Sequence, residues 1–218
     1  MAYFYLMSEK GIINITDVET LINIDPVIGY IDKLYGIPPS WSRPPGFVSL
    51  AKIILEQQVS LASAMAHFNK LHYHIKEFTP EKIIELSDEE FRQCHISRQK
   101  SNYLRILANE LLNGNLDLNN LNNCSEEDAR RQLTRIKGIG NWTADIYLMF
   151  CLGAKNIFPI GDIAVVNTMK ELYPVTTTDE IKTVAERWAP HRSLAVHFMW
   201  HYYLKKRNRE FPQFNSQP

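Results

Sequence analysis

The chain has 218 residues, 45% of them hydrophobic and 22% charged, and its 24 basic and 24 acidic side chains give a formal net charge of zero. That is the composition of a folded globular protein of one large domain or two small lobes, not of a disordered chain. No apolar run approaches the ~18 residues of a membrane span, and the opening Met1 to Met7 stretch lacks a basic n-region, so neither a transmembrane segment nor a secretory signal is expected.

Taken in chain order, the elements read as helices. Short helices are expected near Asp17 to Leu21 and Pro26 to Lys33. The segment from Gly36 to Gly46 holds four prolines and two glycines, which break regular structure. It reads as a lobe boundary or an ordered wall loop, with Trp41 packing in it. A helix starts near Phe47 and passes Leu55, and Ser60 caps the next, Leu61 to Leu71. Thr79-Pro80 opens a helix with cap and proline in the favoured order, and Ser87-Asp88-Glu89-Glu90 is a capping box. Ser97 to Leu112 is amphipathic and ends at Gly114, and Asn115 to Asn123 is a turn region. Ser125 caps a helix through Thr134, and Trp142 to Leu152 forms a very apolar one. Thr178 to Trp188 is followed by the breaker Pro190, Arg192 to Lys205 makes the last helix, and a polar tail begins at Arg207. No alternating run strong enough for a sheet and no internal repeat is present, so the fold class is all-α.

The three cysteines, Cys94, Cys124 and Cys151, have no metal-ligand spacing, so a disulfide framework, a zinc knuckle and an iron–sulfur cluster are not expected. A reducing cytoplasm or nucleus suits them. The histidines show no metal pattern either. Charge is uneven along the chain: residues 1–90 carry 7 basic and 12 acidic groups, whereas residues 91–137 carry 8 and 5. The basic excess lies in the second half, although such runs are usually only solvated surface.

The informative stretch is Leu133-Thr134-Arg135-Ile136-Lys137-Gly138-Ile139-Gly140-Asn141-Trp142-Thr143-Ala144-Asp145. A helix enters, two glycines sit two apart, and a helix leaves. The glycines allow a tight turn and close approach of a partner, and the amides opening the exit helix can bind an anion such as a phosphate. Carbonyls at Ile136 and Ile139 can hold a monovalent cation that bridges to that phosphate. A bare Gly-x-Gly also fits an ordinary helix corner.

Four segments in order carry a resemblance: Ile53-Ile54-Leu55-Glu56-Gln57-Gln58-Val59-Ser60; the hairpin Ile136 to Ala144; Phe158-Pro159-Ile160-Gly161-Asp162, with its Asp 20 positions after Trp142; and Trp188-Ala189-Pro190-His191-Arg192-Ser193-Leu194-Ala195 with Phe198-Met199-Trp200. Over roughly residues 45 to 205 the sequence resembles the helix-hairpin-helix (HhH-GPD) DNA glycosylases, in the 3-methyladenine DNA glycosylase II branch. Only about 45 residues precede the match, so the compact form of the family is expected, without the sheet domain of longer relatives.

The resemblance implies two helical lobes with a DNA-binding cleft between them. Residues 46–155 would form a helical barrel ending in the hairpin, and residues 1–45 with 156–218 the second lobe. It implies a catalytic role for Asp162, whose carboxylate would stabilise positive charge on the sugar and orient or deprotonate water. Read alone, Gly161-Asp162-Ile163 also fits a helix N-cap, and both roles can coexist. Trp142 stands where bifunctional relatives carry a lysine nucleophile. An indole forms no Schiff base, so a monofunctional enzyme without lyase activity is implied. Lys137 does not match that lysine and is assigned to phosphate contact. Trp142 and Trp200 match base-pocket positions, suited to cationic alkylpurines such as 3-methyladenine or 7-methylguanine. Core packing is the plainer reading of each.

Gln57 and Gln58 match the loop at the DNA minor groove, Gln58 at the wedge position, although a pair closing a helix would look the same. Lys137, Gly138, Ile139, Gly140 and Thr143 are assigned to DNA binding, and Arg192 to support of the fold or pocket. Val166-Asn167 departs from relatives that are basic there. Contact would therefore lean on the hairpin amides and a patch of Arg130, Arg131, Arg135 and Lys137. Double-stranded damaged DNA is the expected partner of a monomer that requires no cofactor. Rival readings are a glycosylase for hypoxanthine or an etheno adduct, a non-catalytic DNA-structure binder, and a helical interaction protein.

Overall fold

The computed structural model describes residues 12–211. The Met1 to Met7 stretch read as lacking a signal, and the tail beyond Phe211, lie outside the described residues. Those described are helical throughout, with no strand among them, and no helix among them is long and apolar enough to cross a membrane. They divide into two compact units, residues 12–42 with 153–211, and residues 43–152.

The first unit begins with α1 (Ile15–Ile24) and α2 (Pro26–Tyr35). Asn14 caps α1 through the amide of Thr16, so this helix starts before the Asp17 expected from sequence. Asp25 caps α2 through Val27, with Pro26 at the first helical position where its missing N–H costs nothing.

The second unit holds α3 (Phe47–Glu56), α4 (Leu61–Ile75), α5 (Pro80–Glu85), α6 (Asp88–Gln93), α7 (Arg98–Leu112), α8 (Glu126–Thr134) and α9 (Asn141–Leu152), with a 3-10 turn at Asn120–Asn123. Caps set most of these starts. Ser60, Thr79, Ser87, Ser97 and Ser125 each accept an amide hydrogen bond from the first turn, and Ser87 with Glu90 closes a full capping box. The helix α4 runs a turn past Leu71, to Ile75, which leaves Tyr73 88% exposed.

The core helix of this unit is α9, buried from Thr143 to Cys151; α8 and α3 pack against it, and α3 also packs on α4 and α7. A helix apolar all round belongs inside a core rather than on a surface. At the start of the unit, Arg43 makes a two-pronged ion pair with Glu56, at 3.1 and 2.9 Å, with both side chains buried. Burial pushes the Glu56 carboxyl up, against the pull of the Arg43 guanidinium. The backbone of Arg43 also donates to the Phe150 carbonyl, so the pair fastens the entry of the unit to the last turn of α9.

The chain then returns to the first unit with α10 (Ile163–Leu172), α11 (Thr178–Glu186) and α12 (Arg192–Lys205). Thr177 and Glu180 form a second capping box. The helix α11 stops at Glu186, two residues before the expected end, and Trp188 turns into the core. The core helix here is α12, buried from Ser193 to Tyr202, with α10, α2 and α1 against it. Asp25 joins the two sequence-distant parts of the unit. Its Oδ2 accepts from Tyr173 Oη at 3.0 Å and from Trp188 Nε1 at 2.7 Å.

Removing Glu56 alone strands the Arg43 charge in the core. Glu56→Ala is expected to cost roughly 3–5 kcal/mol of stability in urea denaturation, and Arg43→Met with Glu56→Leu to recover most of it. A loss well below 1 kcal/mol in the single variant would show that the pair does not anchor the unit.

Candidate functional site

In the second unit the hairpin is built by α8, the turn Arg135 to Gly140, and α9. The Ile139 amide donates to the Ile136 carbonyl at 3.0 Å, which closes a four-residue turn with Gly138 in its third place at φ 101°. That place in such a turn wants a residue tolerant of positive φ. The turn leaves no room either: a Cβ on Gly138 would stand 2.4 Å from Cγ of Tyr103 on α7. Ile136 and Ile139 are buried and anchor the turn, while Lys137 and Gly140 face solvent. A Cβ on Gly140 would meet nothing within 4 Å, so its missing side chain serves approach from outside rather than packing. The amides at the start of α9 follow directly, with half-exposed Trp142 in its first turn.

The two glutamines point in different directions. Gln58 is exposed and has a left-handed backbone, φ 56°. Gln57 turns inward, its Nε2 donating to the Gly138 carbonyl and to Thr143 Oγ1, each at 2.8 Å. Gln57 and Thr143, assigned to DNA binding from the sequence, hydrogen-bond to one another here, and Thr143 is buried. The arginines of the basic patch also have partners within the unit. Arg130 pairs with buried Asp145 at 2.5 Å, tying α8 to α9; Arg131 pairs with Asp128; Arg135 leans on the Asn115 carbonyl at 3.5 Å. Lys137 is the member of the patch that projects from the turn itself.

In the first unit Asp162 is the N-cap of α10. A tight turn, in which its amide donates to the Pro159 carbonyl at 2.8 Å, delivers it there. Oδ1 accepts from the Val165 amide at 2.9 Å and from Trp200 Nε1 at 3.1 Å. The carboxylate is half-buried, and Ile163 beside it is 76% exposed, so the start of α10 faces solvent. The capping role and a fixed, reachable carboxylate therefore coexist in one side chain. Trp200 is buried on α12. Arg192 donates from Nε to Asn156 Oδ1 at 2.8 Å, which braces the loop before α10.

Around Trp200 lies an aromatic cluster whose extent the sequence does not disclose. Trp41 stacks on His197 at 5.3 Å and on Phe211 at 4.9 Å, and meets Trp200 edge-on at 6.3 Å. Trp41 comes from the proline-rich segment, where aromatic content next to a breaker was the one available signal. His197 Nδ1–H donates to the Ser193 carbonyl at 2.8 Å, and burial lowers its pKa to about 4. The imidazole in contact with Trp200 is thus neutral at physiological pH.

With this geometry in place the comparisons with known proteins are decisive. The HhH-GPD superfamily of base excision DNA repair proteins matches residues 51–191. The chain belongs to this superfamily. A putative DNA-3-methyladenine glycosylase of Bacillus subtilis is 29% identical over 69% of this chain. The match spans 56% of that protein's length. Among solved structures, the Bacillus halodurans DNA-3-methyladenine glycosidase is 28% identical, with a TM-score of 0.72 over 88% of this chain and 91% of the other. The Schizosaccharomyces pombe 3-methyladenine DNA glycosylase in complex with abasic DNA is 26% identical, with a TM-score of 0.77 over 85% and 95%. The HhH-GPD match contains the hairpin, Asp162 and the Gln57–Gln58 turn.

Two outcomes are expected. Gly138→Ala, which meets both forbidden φ and the Tyr103 ring, costs about 2–5 kcal/mol in denaturation, whereas Gly140→Ala leaves stability nearly unchanged but weakens duplex binding. Equal stability of the two variants would contradict the packing argument. Second, His197 titrates lower folded than unfolded, so stability is full above pH ~6.5 and falls as acid is added towards pH ~4, by at most about 3 kcal/mol from this group. His197→Asn, compared with the wild type across that window, flattens the slope by one proton; an unchanged slope would rule His197 out as its source.

Proposed function

We propose that this chain is a monofunctional DNA glycosylase that hydrolyses the N-glycosidic bond of alkylated purines, such as 3-methyladenine and 7-methylguanine, in duplex DNA. The observation that carries the reading is Asp162: a half-buried carboxylate at the solvent-facing start of α10, fixed by the Val165 amide and the Trp200 indole. The names of its relatives support the substrate class.

A carboxylate in a fixed position costs no reorganisation when positive charge develops on the sugar, and electrostatic help of this kind is worth most when preorganised. As the bond from C1′ to the base nitrogen breaks, its electron pair leaves with the base. A cationic alkylpurine departs neutral, so no partner acid is required. Water then adds its oxygen to C1′ and yields a proton to Asp162 or to solvent. The product is the free base and an abasic site. Trp142, in place of a lysine, cannot condense with that site, and the strand stays intact. Its half-exposed indole face favours a cationic base over a neutral one. DNA is held through the amides of the hairpin, Lys137, and Gln58 on the exposed turn, by a monomer. The carbonyl of Ile136 already accepts one hydrogen bond and keeps a second lone pair, so the hairpin oxygens fit a weakly held monovalent cation beside a phosphate. No other cofactor is required by this chemistry.

The experiment is incubation with methylated duplex DNA and chromatography of released bases, with Asp162→Asn alongside. The wild type is expected to release 3-methyladenine or 7-methylguanine and to leave strands that break only after alkali. Asp162→Asn should lose about 100-fold or more in rate. Absence of release by a folded wild type that binds abasic-analogue duplex would overturn the alkylpurine assignment.

A further inference from the structure

Gln57 has a place in the fold that direct contact with DNA does not explain. The helix α3 that precedes it is immobilised. Its residues from Ser49 to Glu56 are buried apart from Lys52, Glu56 is locked by Arg43, and Lys100 Nζ holds the Leu55 carbonyl at 2.6 Å. A lysine at a helix C-terminus satisfies an orphan carbonyl and suits the dipole there. The chain then leaves α3 in two steps. Gln57 closes the helix, its amide donating to the Ile54 carbonyl, and Gln58 takes φ 56° and faces solvent. A non-glycine residue stays in the left-handed region only where its surroundings over-determine it.

Its neighbour Gln57 is the residue that the fold ties down. Both contacts of its Nε2 fall on the hairpin, one on the turn at Gly138 and one on the first turn of α9 at Thr143, and these atoms lie more than 80 residues away along the chain. A primary amide has two N–H donors, and both are spent here. Resting on the reading given under Proposed function, we propose that Gln57 is a positioning residue that sets the exposed Gln58 in register with the hairpin amides, so that the group filling the duplex and the groups gripping its backbone act at one fixed spacing. The hairpin does not need Gln57 for its own shape. The Ile136–Ile139 hydrogen bond, the two buried isoleucines and the Tyr103 ring beneath Gly138 hold it. Loss of Gln57 therefore spares generic backbone binding and removes recognition of a nucleotide gap, which needs both elements together.

The test compares affinity for a duplex carrying a tetrahydrofuran abasic analogue with affinity for the same duplex undamaged, at one salt concentration. Gln57→Glu keeps the shape but cannot donate to the Gly138 carbonyl, leaving only a bond from the Thr143 hydroxyl, and Gln57→Met removes both donors without adding charge. In both, preference for the analogue is expected to fall about tenfold or more, with undamaged affinity within about threefold of wild type and the thermal midpoint little changed. Thr143→Val removes one of the two acceptors and should give an intermediate loss. A preference that survives both Gln57 variants would overturn the inference alone. So would a parallel fall of both affinities with the midpoint, which marks a merely structural role. A wild-type chain with no preference for the analogue would remove the glycosylase reading and the inference with it.

Discussion

The ring of Tyr103 occupies the space where a side chain on Gly138 would begin, and the hairpin depends on that contact. It forces glycine at one position, which permits the positive φ, which closes the turn between Ile136 and Ile139. Once closed, the turn presents the amides at the start of α9 as a fixed array and offers the Gly138 carbonyl to Gln57. Gly140, two residues on, bears no such load. The pair looks symmetrical in sequence, yet one glycine is demanded from below by packing and the other keeps the outer side open.

The first unit repeats one device with opposite results. Asp25 and Asp162 both cap a helix, and both accept a hydrogen bond from an indole. Asp25 is buried and uses both oxygens on Val27, Tyr173 and Trp188, which makes it a structural joint. Asp162 takes its cap and its indole on the same oxygen and sits at a half-exposed helix start. The chemistry of the two side chains is identical. Burial separates the joint from the candidate catalyst, and an assignment of function to an aspartate by residue type alone would miss this.

Much of this was legible in the chain because helix starts are local. Ser60, Thr79, Ser87, Ser97 and Ser125 cap through side chains a few residues from the amides they serve, so short motifs suffice. The hairpin and Asp162 were legible for a related reason, being contiguous motifs. What escaped is long-range. Nothing near Gln57 announces that it faces inward, since its partners lie at Gly138 and Thr143. Nothing near Arg130 announces its ion pair with Asp145, fifteen residues away on the facing helix. Trp41 belongs to a breaker-rich segment, and its stacking on His197 comes from the opposite end of the chain. The length of α4 escaped because half-buried His72 and exposed Tyr73 and His74 carry no apolar period that distinguishes a last helical turn from a loop.

These long-range pairings also change how a neutral protein would hold a polyanion. Arg130, Arg131 and Arg105 are each matched to a carboxylate of the same unit, so the local excess of basic residues is largely consumed internally. What remains at the hairpin is Arg135, Lys137 and a set of backbone amides. Amides at a helix start carry partial charge that is fixed in direction and needs no side-chain ordering on binding. They read the position of a phosphate and no base, and they release fewer counterions than a field of lysines does. A protein built this way gains little affinity from charge at a distance and depends on geometry at contact. On the proposed glycosylase reading, weak generic affinity with demanding geometry would let the protein leave intact duplex and stay where Gln58 and the hairpin both engage.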